Sequence, residues 1–177
     1  MSYPSELNLA SVSEWLTQAV QDVCETMFGQ AGFPAELPAE SAPTGSVLVA
    51  CIGIRGSCQL EVAMYFPQSL AGRLASISLE TPAGELDEKM VNDVAGEFSN
   101  MVVGAVKSRV SDLEVPCSMT VPRVVRSTLD AQESAQKVQA ALAVIRGSAG
   151  PRKEASPGPS RLAFHVGEGL LLVDVYL

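Results

Sequence analysis

The sequence predicts an α+β fold in which helices lie on one side of a largely antiparallel sheet. Three features of the chain carry that prediction. Two runs rich in β-branched residues, Ser46 to Ile54 and Cys58 to Phe66, flank a short Arg55-Gly56-Ser57 turn, which is the pattern of a hairpin. Two further apolar runs, Arg161 to Val166 and Leu170 to Leu177, meet at Gly167-Glu168-Gly169. Between the hairpins a long stretch, Leu86 to Val110, repeats its apolar residues at helical spacing.

The remaining elements follow in order. Trp15, Leu16, Ala19, Val23 and Met27 recur at helical spacing from about Ser13 to Phe28, with Ser11 or Ser13 as the cap and Gly29 as the stop. A Pro-rich connector runs from Phe33 to Thr44. After the first hairpin, Pro67 opens a second helix at its first-turn position, and this helix reaches about Ser78. Glu80 to Gly84 reads as a loop, and Pro116 to Val125 as a further β-run. In Asp130 to Ile145, Val138, Leu142 and Ile145 fit a helix, while Val138, Ala140, Leu142 and Val144 also alternate. The Ala and Gln content favours the helix. Gly147 to Ser160 has loop composition.

Bulk properties narrow the function. A chain of 177 residues is enough for one domain with a real core, here residues 1–177. Apolar residues make up 47% and charged ones 18%, which argues against wholesale disorder. The net charge is −8 and no Lys/Arg cluster occurs, so neither nucleic acid nor an anionic membrane is an expected partner. The opening residues lack a basic stretch followed by a continuous apolar run, so no signal peptide is expected and the cytoplasm is the expected location.

Catalytic options are few. Cys24, Cys51, Cys58 and Cys117 form no CxxC pair and no metal-ligand spacing, and each sits in an apolar run as a small buried hydrophobe would. His165 is the single histidine and reads as a structural or exposed strand residue. No Walker loop, dinucleotide fingerprint or HExxH is present. Gly29, Gly32, Gly53 and Gly56 read as turn glycines, and Glu85, Asp87 and Glu88 as acids complementing the start of the third helix.

That third helix holds the one informative pattern. Its apolar set is Met90, Val91, Val94, Ala95, Phe98, Met101, Val102, Ala105 and Val106, a broad core face. A narrow opposite stripe holds Lys89, Asp93, Gly96, Glu97, Asn100, Gly104 and Lys107, with Asp93, Glu97 and Asn100 side by side. Glycine within a helix costs about 0.5–1 kcal/mol relative to alanine, yet two border the Glu97/Asn100 pair. Two accounts fit: the glycines admit another element of the same domain, or they strip bulk from a docking surface.

The stripe resembles the signature of the CheC/CheX/FliY phosphatases: Ser or Asp, three residues, Glu, two residues, Asn, and a proline further on. Here these are Asp93, Glu97, Asn100 and Pro122. Asn100 to Gly104 (NMVVG) looks like the family's NMxxG, and GSCQLEVAMYFP before ELDEKMVNDV is similar to its hairpin–helix lead-in. The resemblance spans about Trp15 to Arg126. The motif occurs once, the CheX arrangement, whereas CheC carries two copies. The interval to Pro122 is one residue shorter than usual, and the resemblance places no counterpart for Ser127 to Ser160.

The resemblance implies a CheC/CheX-like fold and a phosphatase acting on the aspartyl phosphate of a CheY-like response regulator. Asn100 then positions the attacking water and Glu97 anchors a lysine of the partner. Asp93, Gly96, Gly104 and Lys107 fall to partner binding. A carboxamide suits the water's position because it accepts and donates hydrogen bonds without adding charge beside a phosphate. No cofactor of the chain's own is implied: Mg2+ belongs to the regulator. Homodimerisation through sheet edges is also implied. Two alternatives stay open, a non-catalytic module of the same fold that docks to a regulator or flagellar switch component, and a dimeric scaffold with an unrelated ligand.

Overall fold

The computed structural model of the chain describes residues 7–37, 45–128, 131–147 and 159–177. Among these residues, four α-helices and seven strands follow in the order α1 (Leu9–Phe28), β1 (Gly32–Pro34), β2 (Ser46–Gly56), β3 (Leu60–Pro67), α2 (Gln68–Leu79), α3 (Glu88–Asp112), β4 (Cys117–Met119), β5 (Arg123–Thr128), α4 (Ala131–Arg146), β6 (Ser160–Val166) and β7 (Gly169–Tyr176). The strands form one sheet in the order β1-β6-β7-β3-β2-β4, with β5 also on β2. Every pairing is antiparallel. The α+β class read from the sequence is the observed one.

Helix ends show how local chemistry sets the elements. The α1 helix starts earlier than expected because Asn8, not Ser11 or Ser13, accepts from the Ser11 N–H. Gly29 ends it in a left-handed conformation, as expected. Pro67 is the cap of α2 and the last residue of β3, one position before the first turn. Asp87 caps α3 by accepting from the Met90 N–H at 2.8 Å, in keeping with the helix-start reading of the acids there. The expected Pro116–Val125 run is two strands, β4 and β5, both on the outer flank of β2. The break falls where the Thr120 hydroxyl accepts from the Gly53 N–H at 2.9 Å, and where Pro122 has no N–H to give a ladder.

The helices do not all lie on one side. Leu48, Ala50, Ile52 and Ile54 of β2 face a core built with α1, α2 and α3. Val47, Val49 and Cys51 face a second core, closed by Val138, Ala141, Leu142 and Ile145 of α4. Gly53 is thus no turn residue. It lies within β2, where a Cβ would come 2.7 Å from the Ile145 methyl, and its bareness lets α4 approach. The Phe33–Thr44 connector begins as β1, paired to β6; residues 38–44 of it, and residues 148–158 of the second expected loop, lie outside the described residues.

Three of the four cysteines are buried; Cys117 is half-exposed, and none is disulfide-bonded. Burial pushes the Cys24 thiol up to about 11 and, with the Glu61 charge as the lesser cause, Cys51 to about 12, as inert core thiols require. His165 projects from β6 as an exposed residue.

Candidate functional site

The α3 helix is fixed by aromatic packing and by an arginine clamp. Phe98 is buried, stacked on Phe28 of α1 and edge-on to Phe66 of β3, with ring centroids 5.7 Å apart in both pairs. Near the helix start, Arg126 of β5 donates to the Asn92 side chain at 3.2 Å and to the Glu88 carbonyl at 3.3 Å. With Phe98 turned into the core, the helical period directs Glu97 and Asn100 outward. The buried face also takes in Ser99, Val103 and Val110, whereas Ala105, expected in the core, is exposed.

Glu97 is exposed and Asn100 half-buried, and neither side chain makes a hydrogen bond or ion pair with any described residue. Asp93, one turn before Glu97, pairs with Lys89 at 3.6 Å; both are largely exposed, so the pair is weak and easily exchanged. Lys107 is half-buried near the far end of the stripe.

The glycines face the broken edge strand. A Cβ on Gly96 would meet Val124 at 3.6 Å and Pro122 at 3.9 Å, and one on Gly104 would meet Met119 at 3.8 Å. Gly96, Asn100 and Gly104 are four residues apart, so they form one line along the helix. The 119–124 segment runs antiparallel beside that line, which places Asn100 opposite its middle, around Val121 and Pro122. The motif proline is therefore brought to the motif helix. All three distances are ordinary van der Waals contacts that a methyl group would tolerate, so packing within the chain does not demand either glycine.

The structure also shows groups that the sequence reading passed over. Val121 is 82% exposed beside Pro122, an apolar side chain offered to solvent at the edge of the stripe. A groove of about 330 Å3 opens beside Glu97, lined by Met27, Ser78, Leu79, Met90, Asp93, Val94 and Glu97. It joins the ends of α1 and α2 to α3, so no local sequence window displays it. Among the described residues no three His, Cys, Asp or Glu side chains converge as a metal site would require. No helix of the described residues is long and apolar enough to cross a membrane.

Known proteins share this architecture. The chemotaxis protein CheX of Vibrio vulnificus superposes with a TM-score of 0.67 at 17% identity, over 93% of this chain and 95% of that one. A CheC-like superfamily protein of Shewanella sp. PV-4 gives 0.66 at 19% identity, over 96% and 98%. The CheX–CheY–BeF3–Mg2+ complex of Borrelia burgdorferi gives 0.62 at 14% identity, over 93% and 96%. No curated protein sequence matches the chain. The family profile described as chemotaxis phosphatase CheX matches residues 48–145, a span that runs from β2 to the end of α4 and takes in the whole α3 stripe and Pro122. That match covers more than half of the chain, which is therefore a member of the CheX chemotaxis phosphatase family.

Proposed function

We propose that this chain is a cytoplasmic phosphatase that hydrolyses the aspartyl phosphate of a CheY-like response regulator, with Asn100 positioning the water and Glu97 anchoring the regulator. The observation that carries the reading is the state of that pair. A carboxylate and a carboxamide stand without internal partners on a helix pinned by Phe98, beside two glycines that the fold does not require. The family profile and the likeness to a CheX found in complex with CheY support the same partner class.

An acyl phosphate is already labile, so the catalyst needs to add positioning and little covalent chemistry. In this reading the Asn100 carbonyl accepts a hydrogen bond from water held in line with the scissile P–O bond. Water oxygen bonds to phosphorus, the aspartate oxygen departs as carboxylate, and the water protons pass to phosphate and solvent. Glu97 pairs with the regulator's active-site lysine, and its charge stays away from the incoming water. Mg2+ comes with the regulator. Asp93 releases Lys89 to meet partner charge, and Lys107 extends the contact along the helix. A homodimer forms through a sheet edge, where unpaired backbone groups favour strand addition.

The test is to follow phosphate release from phosphorylated CheY-like regulators of the source organism, with and without the chain. Many-fold acceleration for at least one regulator supports the proposal. Intrinsic rates throughout, with binding retained, convert the chain into a docking module.

Gly104→Ala separates the two accounts of the glycines. If the glycine serves docking, the variant is as stable as wild type or up to about 1 kcal/mol more stable, while regulator affinity drops. Loss of thermal stability in a melting experiment would instead assign the glycine to internal packing.

A further inference from the structure

The groove beside Glu97 has a chemistry of its own. Its floor is Met27, Leu79, Met90 and Val94, and Leu79 is 40% exposed, large for an apolar side chain at the end of a helix. Two methionines make the floor adaptable to an incoming side chain. Its rim is negative. Asp93 and Glu97 stand on the α3 side. The other walls are the C-terminal ends of α1 and α2, which carry the partial negative charge of the helix dipoles, and neither helix has a basic residue in its last turn to offset it. Asp93 pairs with Lys89 at 3.6 Å, and both side chains are largely exposed, so an incoming cation can displace that contact.

An apolar floor under a negative rim fits a long basic side chain, whose methylene stem lies on the floor while its charge meets the rim. We infer that this groove takes a lysine or arginine of the response regulator, a second cation apart from the one at Glu97, and so sets which regulator the chain engages. The inference rests on the phosphatase reading for the identity of the partner. It adds that recognition is divided. The Asn100 side of Glu97 meets the phosphorylated site, and the Asp93 side meets a basic residue elsewhere on the regulator's surface. Swapping charge in the groove therefore acts on KM more than on kcat.

Steady-state kinetics with the phosphorylated regulator that the wild type accelerates tests this, using Leu79→Lys and Leu79→Glu. Leu79 ends α2 and is partly exposed, so both substitutions are compatible with the helix. The expected result is a KM at least ten-fold higher for Leu79→Lys, and an unchanged or lower KM for Leu79→Glu, with the difference shrinking at high salt. Equal increases for both variants mean that the groove holds an apolar side chain without a cation, and the inference is overturned. It is equally overturned if neither variant changes KM, while the phosphatase reading stands. Should the wild type accelerate no regulator, the phosphatase reading itself fails and takes the groove's assigned partner with it.

Discussion

Asn100→Ala is expected to slow the accelerated dephosphorylation by at least about 100-fold while leaving regulator affinity within about two-fold, a loss of about 2.7 kcal/mol of transition-state stabilisation. The size follows from what the carboxamide is asked to do. In the proposed mechanism, positioning a water in line with a labile bond is the larger part of the catalysis, and displacement of a reacting group by about 1 Å can cost 10²-fold. Asn100 makes no hydrogen bond with any described residue, so truncating it orphans no internal group. Neighbouring Phe98, Val102 and Val103 hold the helix regardless. Asn100→Asp sharpens the test. It keeps the shape but sets a negative charge beside phosphate, and it loses as much activity or more. Binding is read separately, with the regulator held in its activated form by BeF3− and Mg2+. Retention of wild-type rates by Asn100→Ala would end the water-positioning role, whatever else the chain does.

On the same proposal, Glu97 is expected to behave differently under the same assays. An anchor lost from a docked complex weakens affinity as well as rate, so Glu97→Gln raises KM where Asn100→Ala leaves it. The two outcomes are the signature of a divided site, one side chain for the partner and one for the water.

Much of this was legible in the sequence because the relevant signals are local. The stripe of Asp93, Glu97 and Asn100 follows from the helical period once Phe98 is taken as core, and the hairpins follow from turn glycines between β-branched runs. What stayed hidden depends on contacts distant in the chain. The side on which α4 packs was misread although β2 carries the clue. Val47 to Ile52 is buried at every position, which a sheet covered on one face does not need. Ala105 looked apolar enough for the core, but Val103 and Ser99 turn inward instead, while Gly96 and Gly104 face the 119–124 segment. The meeting of Pro122 with Gly96 comes from the β4–β5 break, which only the shared pairing with β2 reveals.

The same blindness applies to the buried charges of the α4 side, and there the expected effect on stability is largest. Asp174 of β7 is 1% exposed, a position at which a lone carboxylate would be intolerable. Arg161 of β6 meets it with both ends of its fork, Nε to Oδ1 at 2.5 Å and Nη2 to Oδ2 at 2.7 Å, and the Tyr65 hydroxyl donates to Oδ2 at 3.0 Å. The Arg161 guanidinium also lies 5.5 Å from the centre of the Tyr65 ring. Arg161→Ala removes the counterion and leaves the acid buried, so a loss of about 3–5 kcal/mol is expected in urea denaturation. This is a large part of the 5–15 kcal/mol typical of a folded domain. Replacing both partners, Arg161→Met with Asp174→Leu, recovers most of that loss, because the penalty lies in the orphaned charge and not in the absence of the pair. Burial first, and then the Asp174 charge, raises the pKa of Tyr65 above its ordinary value. The contribution of that phenol is therefore complete below the unfolded tyrosine value of about 10 and declines as pH rises beyond it. Tyr65→Phe flattens the alkaline limb of the stability curve. If Arg161→Ala unfolds within about 1 kcal/mol of wild type, the fork is an ornament of the sheet and not its clasp.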